Sequence, residues 1–118
     1  MIDFSVFEDL KSVRLSTFAK KPTSLTDGQL EGSKELWVSA DGRIRVGVWE
    51  CTEGQFTADR TSIAEYCHII SGSALVEDDT EQSAREIKSG DLLVLPKGWK
   101  GRWTIKEHMR KLYILSES

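Results

Sequence analysis

The hydrophobic positions of this chain come in short runs broken by turn residues, not in the three-and-four spacing of long helices. From residue 35 onward, runs of β-branched and aromatic residues alternate with Gly, Asp, Ser and Pro, the pattern of an antiparallel all-β domain. Residues 36–39 predict a strand, Asp41 and Gly42 a tight turn, and residues 43–51 the returning strand. In that return Ile44, Val46 and Val48 share one face, and Arg43, Arg45, Gly47, Trp49 and Cys51 share the other. Residues 52–62 read as a polar loop. Residues 63–70 and 74–77 read as a hairpin turning at Ser71, Gly72 and Ser73. A loop over 78–84, a turn at Ser89, Gly90 and Asp91, and an apolar strand over 92–95, expected to be covered on both faces, follow. Pro96 ends that strand, and 102–105 and 111–115 complete the set, with His108 in a polar turn between them.

Residues 1–34 differ. Ile2, Phe4, Val6, Phe7, Leu10 and Val13 are mixed with charges and fit a short amphipathic turn or an arm lying on the core, and 16–34 read as a loop with one short strand. The expected organisation is an arm over 1–34 and a barrel over 35–118. At 118 residues the chain can bury one core.

The formal charge of −3 gives no general attraction to phosphate backbones or anionic lipid, so neither nucleic acid nor membrane is expected as a partner. The first residues carry acid where a secretion signal carries base, and no apolar run approaches the roughly 18 residues of a membrane span, so a cytoplasmic location is expected. In that setting Cys51 and Cys67 are expected as free thiols.

Two stretches carry family information. Glu65 is followed after six residues by a glycine at 72, and Gly90 is followed by Pro96 and Gly98, as in G-x5-P-x-G. These resemble the two cupin motifs, G-x5-H-x-H-x3,4-E-x6-G and G-x5-P-x-G-x2-H-x3-N. Within the cupins, residues 47–52, Glu65 to Cys67 and Arg110 to Tyr113 look like the subgroup of ureidoglycine aminohydrolase and the ethanolamine-utilisation cupin, over about 35–115. The resemblance implies a small jelly-roll barrel, a double-stranded β-helix, and commonly a homodimer.

It also implies where a divalent metal would be bound. The first two histidine positions fall on Ala58 and Arg60, or on Asp59 and Thr61 in the shorter spacing, and the last on Gly101. Only the glutamate is kept. One carboxylate is a poor transition-metal site, so no cofactor is expected, Glu65 with Asp59 being the sole weak alternative for a hard ion. His68 has the opposite strand parity to Glu65 and, like His108, is expected as a solvated or core residue.

With Glu65 pointing inward, alternation sends Cys67 and Ile69 inward, and from position 101 it sends Trp103 and Ile105 inward. Gly101 is expected to leave space that Trp103 could fill. A buried lone carboxylate requires a partner, for which Arg60, Arg102 or a ligand cation are candidates. The candidate ligand-binding set is therefore Glu65, Cys67, Trp103, Trp49, Tyr113 and Arg60. Three functions fit: metal-free binding of a small polar molecule, a metal-dependent or acid/base hydrolase resembling ureidoglycine aminohydrolase with Glu65 as its catalytic group, or a dimerisation module without ligand.

Overall fold

A computed structural model describes residues 1–15, 17–80 and 84–117; residues 81–83, inside the loop predicted over 78–84, lie outside them. Among the described residues a 3-10 turn, Phe4–Val6, precedes eight strands: β1 Ala19–Lys20, β2 Leu30–Val38, β3 Ile44–Cys51, β4 Gly54–Arg60, β5 Ala64–Asp78, β6 Arg85–Lys88, β7 Leu92–Leu95 and β8 Trp99–Ser116. Every pairing is antiparallel. Among the described residues no helix is long and apolar enough to cross a membrane.

Two long strands organise the sheet. β5 and β8 pair along most of their lengths, from Ala64 opposite Ser116 to Asp78 opposite Gly101. The C-terminal half of β8 also pairs with β3, and its N-terminal half with β4. The sheet thus folds over itself into a small jelly-roll barrel.

The predicted hairpin at residue 72 and the predicted turn around His108 are therefore both corrected. Gly72 lies within β5 and His108 within β8. The register shifts repeatedly between Ile69 and Ala74, so the strand turns the barrel corner by bulging. Gly72 has a φ of +89°, and a Cβ there would collide with the backbone of His108 and Met109. The glycine signal was real, but it marked a bend. The turn at Gly90 and the strand end at Pro96 are as expected.

The stretch predicted as a loop over 52–62 contains β4. It was obscured because Gly54, Gln55, Thr57, Asp59 and Arg60 dilute the apolar alternation of Phe56 and Ala58. β2 likewise begins at Leu30, before the strand predicted over 36–39.

Inward residues from both halves of the sheet form the core: Trp49, Cys51, Cys67, Ile69, Ala74, Val76, Ile87, Leu95, Phe56, Trp103, Ile105 and Met109. In β3, Val48 and Trp49 are both buried although they point to opposite faces. Residues near the N-terminus lie on the outer face: Leu10 gives its carbonyl to Arg110 at 2.8 Å, and Val6, Phe7 and Leu10 border a hollow with Leu36, Trp37, Val46 and Leu112.

Part of that outer face is exposed. Leu92 and Val94, expected to be covered, are exposed because β7 pairs only with β5 and nothing in the described chain packs over it. Register lines up Trp37, Val46, Ile114, Tyr66 and Val94 in one row across five strands.

Candidate functional site

Strand alternation aims Glu65 into the barrel, and its side chain is only 3% exposed. Burial disfavours a charge there unless partners supply what water did. Two cations do. Arg60, delivered by the end of β4, donates from Nε at 2.9 Å and Nη2 at 2.7 Å to Glu65 Oε1. Lys111, from the C-terminal half of β8, places Nζ 2.8 Å from Oε2. Burial pushes the Glu65 pKa up, but Lys111 and Arg60 outweigh it and hold the carboxyl at about 2.

Lys111 is itself buried. Its ammonium lies 4.4 Å from the ring centroids of both Trp49 and Trp103, within the range of cation–π attraction. Phe56 completes the aromatic floor, stacked on Trp103 at 5.9 Å and edge-on to Trp49 at 5.8 Å. Lys21 repeats the theme at the mouth, 4.3 Å from the Phe56 ring and 2.8 Å from Glu31 Oε1, which also accepts from Trp49 Nε1 at 2.9 Å.

These groups surround a cavity of about 230 Å³, with Ser33, Tyr113 and Leu115 on the remaining wall. Of the expected set, Glu65, Arg60, Trp49 and Tyr113 line it. Trp103 and Cys67 do not; Trp103 forms the layer beneath Lys111, and Cys67 is wholly buried in the core. Both cysteines are free and buried, and burial pushes the Cys67 thiol up to about 12 and Cys51 to about 11.

A family model of the EutQ-like cupin domain matches residues 38–113. The chain belongs to the EutQ-like cupin family. Solved structures with the same architecture include the EutQ protein of Clostridium difficile, at 21% identity and a TM-score of 0.68 over 89% of this chain and 81% of that one. A putative ethanolamine utilization protein from Salmonella typhimurium is similar at 20% identity and 0.68, covering 85% of this chain and 78% of that one. A protein with unknown function from Pseudomonas syringae pv. tomato gives 20% identity and 0.76, over 92% of this chain but 46% of its own length. At these identities the likeness shows the fold. Comparison with curated proteins finds no match.

The residues of this cupin do not fit the divalent ion that the family's histidine motifs bind. No cluster of three His, Cys, Asp or Glu side chains occurs among the described residues. Asp59, expected as the second carboxylate, is on the outer face, where it accepts from Thr61 N at 2.8 Å and from the Thr61 hydroxyl. Both oxygens of Glu65 are taken by Arg60 and Lys111. Position 101 is closed too: a Cβ there would collide with the Glu77 carbonyl and the Trp99 ring. The space expected for Trp103 is thus filled by Trp99, whose indole N–H bonds Asp78.

Arg102, the other candidate partner of Glu65, points outward and pairs with Glu77 at 2.8 Å. His68 is exposed, and His108 contacts Glu50 at 2.6 Å. Sequence reasoning missed Lys111, Lys21, Glu31 and Phe56. Lys111 had a signal: it lies two residues before Tyr113 on the same strand, so it shares that residue's face.

Proposed function

We propose that the protein binds a small polar molecule in the barrel cavity and does so without a metal ion. The observation that carries this reading is the replacement of metal ligation by internal cations: Arg60 and Lys111 hold Glu65 beside an open cavity with aromatic walls. The cavity is below the roughly 300 Å³ lower end of drug-sized sites, so the ligand is small. Hydrolysis is the weaker reading. A carboxyl held at about 2 carries no proton to donate near neutrality and is a feeble base, and thiols at about 11 and 12 are poor nucleophiles.

A thermal-shift screen against small amines, ureido compounds and carboxylates tests the binding reading, with hits confirmed by titration calorimetry on the wild type and Glu65→Gln. A saturable ligand whose affinity Glu65→Gln changes is expected; absence of a binder in every class overturns the reading. Elemental analysis after growth in metal-supplemented medium tests the metal-free part. Stoichiometric Mn, Zn, Fe or Ni overturns it.

The outer apolar row favours a second, compatible reading, homodimerisation through the open sheet face. Tyr66 is 41% exposed and Leu92 70%, and such a contiguous patch ordinarily has a partner. Light scattering is expected to give twice the chain mass for the wild type and the single-chain mass for Tyr66→Lys with Val94→Lys. A monomeric wild type ends this reading.

A further inference from the structure

We propose that the cavity ligand is a small carboxylate anion, held by Lys111, Lys21 and Arg60. This rests on the reading that the cavity binds a small molecule, and it names the charge of that molecule.

A cationic ligand would need a free carboxylate or an open aromatic face, and this cavity has spent both on its own residues. Glu65 accepts from Arg60 on one oxygen and from Lys111 on the other. Glu31 Oε1 accepts from Lys21 and from Trp49. The faces of Trp49 and Trp103 carry the Lys111 ammonium at 4.4 Å, and Phe56 carries that of Lys21 at 4.3 Å. An incoming ammonium competes with Arg60, Lys111, Lys21 and Trp49 for these acceptors and meets like charge.

The donors are in the opposite position. A lysine ammonium has three N–H donors; Lys111 directs one at Glu65 and Lys21 one at Glu31. The lining carries three cations, Lys21, Arg60 and Lys111, against two carboxylates, Glu31 and Glu65. One monoanion brings the count to balance. In a partly enclosed site of low dielectric that excess charge acts more strongly than at an open surface. The donors are also graded in depth: the Lys111 side chain is 5% exposed, whereas those of Lys21 and Arg60 are 13% and 25% exposed, so an anion can be drawn in at the mouth and fixed deeper.

The test uses probes of similar size and three charges: benzoate, benzamide and benzylamine. Each is titrated into the full-length protein by calorimetry and followed at the Trp49 indole N–H by heteronuclear NMR. Benzoate is expected to bind about tenfold or more tightly than benzamide, and benzylamine to give no saturable shift. Lys21→Gln, at the mouth, is expected to weaken benzoate by about threefold or more. Because Lys111→Met alone leaves one oxygen of a buried carboxylate without its partner, the deep contact is tested in Lys111→Met combined with Glu65→Gln, with the fold checked by circular dichroism; benzoate is expected to weaken by about tenfold or more.

Benzamide or benzylamine binding at Trp49 as tightly as benzoate overturns the anion assignment and leaves small-molecule binding standing. Unchanged benzoate affinity in the folded double variant overturns it as well. Failure of all three probes to perturb Trp49 overturns the assignment; if the wider screen is also empty, the binding reading falls with it.

Discussion

Lys111 Nζ lies 2.8 Å from Glu65 Oε2, with side chains 5% and 3% exposed. The pair joins two long strands at a place where a metal-binding cupin would hold an ion. Removing Glu65 leaves Lys111 buried without its counter-charge, at a cost of about 3–5 kcal/mol, whereas removing Lys111 leaves Glu65 held by Arg60 on Oε1 but without a partner on Oε2, and costs less. Lys111→Met is therefore expected to destabilise the fold by about 1–3 kcal/mol in urea denaturation, the cost of an unpartnered buried acceptor. The double change with Glu65→Gln is expected to recover much of the loss, because neutral groups of similar shape need no counter-charge. Equal stability for Lys111→Met and wild type would contradict the pairing.

The same carboxyl sets an acid limit on stability. Its folded pKa, about 2, is below the ordinary 4.5, so the folded state favours the ionised form. The contribution is present above the ordinary carboxyl pKa and is lost as pH falls from about 4.5 toward about 2. It is on the order of 3 kcal/mol. Stability of the wild type is expected to fall over this window more steeply than that of Glu65→Gln. Parallel pH profiles for the two proteins would show that Glu65 is not the group responsible.

Position 101 cannot regain a metal ligand by substitution alone. Gly101 is pressed between the Glu77 carbonyl and the Trp99 ring, so Gly101→His is expected to lose at least about 2 kcal/mol through overpacking and to gain no affinity for Mn or Zn. A variant as stable as wild type would show that Trp99 yields easily. Calorimetric metal titration checks the second half.

Both cysteines are expected to be silent in the native state. Fully buried thiols with pKa values near 11 and 12 offer almost no thiolate at neutral pH. A thiol reagent such as DTNB is expected to leave Cys51 and Cys67 unmodified in native protein and to react with both once urea unfolds it. Fast native labelling of either would place that cysteine at an accessible surface.

Parts of the fold were legible because their causes are local. Gly90 and Pro96 act on their own backbone angles, and the inward direction of Glu65, Cys67, Trp103 and Ile105 follows from alternation within one strand. Where a signal needed distant context, it misled. Gly72 reads equally as a turn or a bend, and only its pairing with β8 makes it a corner in a continuous strand. β4 escaped notice because its inner face ends on the charged Arg60 and polar Gln55, Thr57 and Asp59 alternate with its only apolar side chains, Phe56 and Ala58.

The sequence by itself determined that this chain makes a cupin barrel, that the metal-ligand positions have lost their histidines, and that one glutamate faces inward. Only the tertiary structure decided what that glutamate meets. Arg60 and Lys111 are 51 residues apart, and they converge on Glu65 because β4 pairs with the N-terminal half of β8 while the start of β5, which carries Glu65, pairs with the C-terminal half. Backbone preference acts over a few residues, whereas charge compensation in a core depends on register between strands that the chain brings together only on folding.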